Sequence, residues 1–152
     1  MKRIYIAGNG IRSHWVEDAL AVGCGKTRGG VAFINNRMSF VIEDGIYLFN
    51  HVQMDGGCLY LLDCSNVVIR NNTFMFNKAK WGGAIYLERC SDVLIYGNSF
   101  ISNLALRDGG AISLSRCEYV TIHNNSFALN AGIRSAPKVD IHNCKTVCVS
   151  YL

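Results

Sequence analysis

The segment GGAIYLERC at residues 82–90 returns 27 residues later as GGAISLSRC at 109–117. Glycine pairs begin at Gly29, Gly56, Gly82 and Gly109, so the spacings are 27, 26 and 27 residues. In a chain of 152 residues such a period demands units that cannot bury their apolar side alone and must lean on copies of themselves. Downstream of each pair the same residue types recur in order. First come Ala32, Leu59, Ile85 and Ile112, then Ile34, Leu61, Leu87 and Leu114. Cys64, Cys90 and Cys117 follow, then Val67 with Ile69, Val93 with Ile95, and Val120 with Ile122. Each unit closes on an Asn-rich bend and a phenylalanine, at 72–74, 98–100 and 125–127, and VDIHNCKTVCV at 139–149 restarts the order.

Apolar residues two apart in runs of three or four read as half-buried strands, about three short ones per unit. A leucine-rich repeat has a similar length, but its Leu-x-x-Leu-x-Leu signature is missing. The predicted fold is therefore all-β: a right-handed, single-stranded parallel β-helix of about five coils of 26–27 residues, forming one domain over 1–152. Residues 29–135 supply four full coils and 136–152 a partial last one. Each strand should lie on its equivalent about 4.8 Å away, so like residues stack on like. Inward Ile, Leu, Val and Phe then contribute about 1.5–3 kcal/mol each, before the entropy of ordering is subtracted. Asn72, Asn98 and Asn125 are expected to form one ladder of amides, and Asn50, Asn77, Asn103 and Asn130 a second.

Residues 1–28 fit the pattern poorly and read as a degenerate first coil. Ile4, Tyr5 and Ile6 match the first strand, whereas SHWVEDALAVG at 13–23 predicts a short helix with Ser13 as N-cap and Gly23 as stop, able to cover the end of the core. LAVGCGKT at 20–27 is not a phosphate-binding loop, because Leu20 stands where that motif needs glycine. At the other end, the partial fifth coil has no evident cap, which points to end-to-end self-association.

Composition narrows the function classes. Fifteen Lys and Arg against eleven Asp and Glu leave a net charge of +4, and the basic residues are scattered, so no nucleic-acid surface is expected. The apolar run after the opening MKR stops at Ala7, too short for a secretory signal, and no stretch has the length of a membrane span. Cys64, Cys90, Cys117 and Cys144 occur once per coil and so form a straight file, whereas a zinc site needs its ligands around a point. Their parallel Cβ atoms should stay about 4.8 Å apart, beyond ordinary disulfide geometry, so they read as buried thiol fillers. No metal and no cofactor are expected.

Three features remain as candidates for chemistry. Asp55 and Asp108 each precede a glycine pair two coils apart, about 9–10 Å if stacked, at the upper edge of an inverting carboxylate pair; aspartate also simply favours that turn. Asp63, Arg89 and Arg116 read as a surface charge ladder. Phe33, Tyr60 and Tyr86 occupy one outward site in three successive coils and should stack in an aromatic stripe, able to grip a glycan or a partner's apolar surface. The sequons at Asn71 and Asn124 are by-products of the Asn-rich bend.

At FISNLALRDGGAI, Phe100 to Ile112, the repeat resembles the paired FxxN and GGA[ILV] motifs of the polymorphic outer-membrane proteins of chlamydiae. The likeness covers 29 to about 135 and recurs at Phe74 to Asn77 and Phe127 to Asn130, although the second motif pair reads Gly-Gly-Cys at 56–58. It implies a β-helical, surface-displayed autotransporter passenger that acts as an adhesin without catalysis, at the cell surface or secreted. The motifs also look like those of the wider right-handed β-helix group, which includes pectate-lyase-like enzymes, so a polysaccharide lyase or glycoside hydrolase is the alternative. Free thiols and the absence of a signal sequence or translocator barrel favour a third reading, a cytoplasmic scaffold or assembly subunit. Expected partners are a glycan or the surface of a host or partner protein, with no membrane insertion.

Overall fold

The computed structural model describes residues 28–151 together with two N-terminal strands, Lys2–Ile6 and His14–Val16. The described chain is all-β and winds as a parallel solenoid with four sheets along its axis. The first sheet stacks Ala32–Asn35, Leu59–Leu62, Ile85–Glu88, Ile112–Ser115 and Val139–His142. The second stacks Met38–Glu43, Ser65–Arg70, Ser91–Tyr96, Glu118–His123 and Lys145–Val149. The third carries Ile46–Leu48, Thr73–Met75, Ser99–Ile101 and Ser126–Ala128; a fourth, of two-residue strands, carries Lys78–Ala79, Leu104–Ala105 and Ala131–Gly132. The expectation of about three strands per coil misses this last one, because two residues are too few to show an alternation.

Register follows the repeat. Ile85 pairs with Leu59 on one side and Ile112 on the other, and Ile95 pairs with Ile69 and Ile122. The inward columns build one core in which Leu59, Leu61, Ile69, Ile85, Leu87, Ile95, Ile112 and Ile122 are fully buried. A column of rings runs through it, Tyr47, Phe74, Phe100 and Phe127, with centroids 4.9, 5.0 and 5.1 Å apart.

Both amide ladders close the bends. Asn72 donates its backbone N–H (2.9 Å) and its Nδ2 (3.0 Å) to Asn98 Oδ1, and Asn98 does the same to Asn125 at 2.9 and 3.0 Å. Each side chain also donates to a backbone carbonyl of the preceding coil, Ile42 for Asn72, Ile69 for Asn98 and Ile95 for Asn125. In the second ladder Asn50 donates to Asn77, Asn77 to Asn103 and Asn103 to Asn130. These bonds satisfy groups that a tight, buried bend would otherwise leave without partners.

The glycine pairs are required by space. A Cβ on Gly83 would lie 2.1 Å from the Gly110 carbonyl oxygen and 2.8 Å from Leu104 backbone atoms, so two neighbouring coils touch through bare backbone at this corner.

The N-terminal segment differs from expectation. Lys2–Ile6 joins the second sheet, with Lys2 opposite Phe40 and Arg3 opposite Val41, rather than the first. The helix expected over 13–23 is contradicted at 14–16: His14–Val16 is a strand that folds back antiparallel on Lys2–Ile6. An unpaired sheet edge offers backbone partners that a three-residue stretch takes up more readily than it nucleates a helix. The rest of that segment, and the glycine-lysine-threonine run up to 27, lie outside the described residues.

Two outcomes follow. Asn98→Ala strips two donors of Asn72 of their acceptor and leaves the Ile69 carbonyl without its partner, so chemical denaturation should show a loss of about 2–5 kcal/mol, with an outward Thr121→Ala control within about 0.5 kcal/mol. Tyr47 is the one tyrosine in the core ring column, its hydroxyl has no partner among the described residues, and burial pushes its pKa up. Removing that hydroxyl with Tyr47→Phe should raise stability by about 1 kcal/mol, or about 2–4 °C in the melting temperature.

Candidate functional site

The outward column of the first sheet reads Phe33, Tyr60, Tyr86, Ser113 and Asp140. The three rings stack, with centroids 5.0 Å apart for Phe33 and Tyr60 and 5.2 Å for Tyr60 and Tyr86. An open stripe on the surface is not what forms, because Tyr60 is only 1% exposed. Its faces are covered by the rings above and below, the Arg28 guanidinium lies 5.4 Å from its centroid, and its hydroxyl donates to Glu88 Oε2 at 2.5 Å. Burial first, and then the Glu88 carboxylate, push its pKa up. Phe33 and Tyr86 are half-buried.

The ring column stops at Tyr86. One face of that ring packs on Tyr60; on the other side the next rung is Ser113, a small buried residue whose hydroxyl donates to Asp140 Oδ2 at 3.1 Å. Here a groove of about 440 Å³ opens. Its floor is Tyr86, Ser113, Ser115, Asp140 and His142, all from the outward side of the first sheet.

The opposite wall comes from a second column, the residue immediately before each glycine pair: Asp55, Trp81, Asp108 and Ser135. Trp81 is half-buried, with Lys80 Nζ 4.6 Å and Arg107 Cζ 5.4 Å from a centroid of its ring system. Asp108 accepts from Ser135 Oγ at 2.5 Å. The exposed Arg134 completes the lining.

Asp55 is the unusual member. Its side chain is 8% exposed, its Oδ2 meets Arg28 Nε at 3.4 Å, and its Oδ1 has no hydrogen-bond partner among the described residues. Burial pushes its pKa above the ordinary carboxylate range, partly opposed by Arg28 and reinforced by Glu88. A buried carboxyl oxygen with no donor is costly unless something outside the chain supplies one.

The remaining sequence candidates are structural in their contacts. Cys64, Cys90 and Cys117 form a buried file with Cys144 half-buried at its end, and all four are free thiols. Cys90 Sγ lies 3.5 Å from the Leu61 carbonyl oxygen and 3.4 Å from that of Glu88. The thiols of Cys117 and Cys64, and then burial, hold Cys90 protonated. Among the described residues no group of three His, Cys, Asp or Glu could hold a metal ion. The charge ladder is a surface pair: Arg89 donates to both oxygens of Asp63 at 2.7 and 2.9 Å, while Arg116 makes no ion pair with it.

Asp55 and Asp108 were legible from their place before the glycine pairs, and they line one groove. Trp81, Arg134, Asp140 and His142 were missed. Trp81 falls in the 26-residue coil, where one residue is deleted ahead of the glycine pair, but reading that position down the repeat as Asp55, Trp81, Asp108, Ser135 finds it.

A family described as a right handed beta helix region matches residues 21–149. No curated protein and no solved structure matches the chain.

The state of Asp55 sets a pH dependence of stability. The folded chain keeps its proton to higher pH than the unfolded chain does, so the contribution is full below the usual 3.8 and declines as pH rises through the raised folded value. Asp55→Asn removes that decline. Denaturation from about pH 3 to about pH 7 should show the variant gaining stability relative to the parent as pH rises.

Proposed function

The chain belongs to the right-handed β-helix family, and from that premise we propose that it is a non-catalytic binding solenoid whose ligand is a glycan held in the groove beside Tyr86. The family holds enzymes as well as non-enzymes, so the reading rests on the site. What carries it is the break in the ring column: an aromatic face turned toward a groove of about 440 Å³ whose other walls offer hydroxyl and carboxyl groups. Carbohydrates are bound in this manner, with C–H faces against a ring and hydroxyls on polar side chains. The groove follows successive coils about 4.8 Å apart, close to the length of one sugar residue in an extended chain. A rigid stack of coils pre-orders these contacts, so little entropy is lost on binding. Display of such a groove on a long β-helix also agrees with the adhesin role implied by the FxxN and GGA[ILV] motifs.

One observation favours a second reading, cleavage of the bound polysaccharide. Asp55 and Asp108 line the same groove two coils apart, one protonated more readily than usual and the other held by Ser135, which is the asymmetry a general acid and its partner carboxylate need.

Binding of fluorescent polysaccharides to the 152-residue chain, with chain length followed over hours, separates the two. The expected result is saturable binding, weakened about tenfold or more by Trp81→Ala, with no shortening of the polymer. Sustained shortening that Asp108→Asn abolishes would replace the binding reading with the enzymatic one.

A further inference from the structure

We infer that the space over Ser113 is a subsite for one neutral pyranose ring, stacked on the open face of Tyr86. The inference rests on the glycan reading above and adds to it the position and chemical class of the sugar.

The ring column sets the position. Phe33, Tyr60 and Tyr86 are stacked at 5.0 and 5.2 Å with interplanar angles of 18° and 3°, so the next rung presents a plane parallel to Tyr86 at the same spacing. That rung belongs to Ser113, whose side chain is too small to cover the ring, and the groove occupies the place. A six-membered sugar ring lying on Tyr86 would continue the column with C–H groups against the aromatic face. Tyr86 itself is fixed by Tyr60 behind it and by a hydrogen bond to the Ser115 side chain.

The walls set the class. Asp55, Asp108 and Asp140 line the groove, against Arg134 and His142, both of which stand exposed at its rim. Asp55 Oδ1 is a buried acceptor without a donor, and a sugar hydroxyl is such a donor. Asp108 and Asp140 are each held by a serine, which keeps their carboxyl groups oriented as acceptors. A ligand rich in hydroxyl donors is complementary to this lining, whereas a uronate would bring a fourth carboxylate among three.

Calorimetric titration of the full chain with cellohexaose, mannohexaose and hexagalacturonate tests the inference. The expected result is that at least one neutral hexamer binds, with hexagalacturonate at least tenfold weaker. Ser113→Tyr, which would extend the ring column into the subsite, should reduce neutral-hexamer affinity at least tenfold while leaving the melting temperature unchanged or higher. If that variant fails to fold, Tyr86→Leu, with its β circular-dichroism spectrum intact, should give the same loss. Tighter binding of hexagalacturonate, or neutral binding indifferent to both substitutions, would overturn the subsite and leave the glycan reading standing. Failure of every hexamer to bind would overturn both.

Discussion

Every axial backbone hydrogen bond in this molecule joins residues one whole turn apart. At the glycine corner the N–H groups of Gly29, Gly56 and Gly82 donate to the carbonyls of Asp55, Trp81 and Asp108, and the offset of 26 or 27 residues recurs on all four sheets. Closing the first turn therefore costs the entropy of a long loop before any ladder bond is made, after which each later turn lies on a formed template. The same offset means that no residue is judged alone. Its side chain must suit the rungs on either side, and this is the pressure that makes the coils alike.

The bends show how far that pressure reaches. Every described residue with positive φ falls into one of five columns, such as Asn36, Asp63, Arg89, Arg116 and Asn143, or Phe49, Phe76, Ser102 and Leu129. Asparagine, aspartate and glycine tolerate the left-handed region, but phenylalanine, arginine and leucine there cost about 1–2 kcal/mol each. They persist because the N–H and C=O groups around them are already committed to neighbouring coils, as at Phe49 and Phe76, whose N–H groups donate to Met75 and Ile101. Exposed Phe49 and Phe76 even stack on each other at 5.0 Å, which returns part of that cost.

Much of this was legible in the sequence because stacking turns spatial neighbours into a linear period. Inward columns such as Ile69, Ile95 and Ile122, the amide ladders and the cysteine file can be read from spacing, and the solenoid follows from them. Three things could not be read so. Burial of Tyr60 depends on Arg28 and Glu88, which lie on other columns, and alternation predicts only which side of a strand a residue faces. The strand at 14–16 answers to an open sheet edge, a tertiary partner that helix propensity does not register. The groove depends on two columns separated by a bend, and its lining includes Trp81 and Ser113, which depart from the residue types of their neighbours.

Those departures carry the argument about function. A column that repeats without change can only extend a surface, because each rung is filled by the side chain of the next. A cavity in a tightly wound solenoid needs a rung where a large residue gives way to a small one, as Tyr86 gives way to Ser113, with a wall of different chemistry beside it, as Asp55 and Trp81 provide. Regularity supplies the rigidity that holds such a site open, since Tyr86 is pinned from behind by Tyr60. The residues that break the pattern are thus the ones free to serve a ligand, while those that keep it are occupied with holding the coils together.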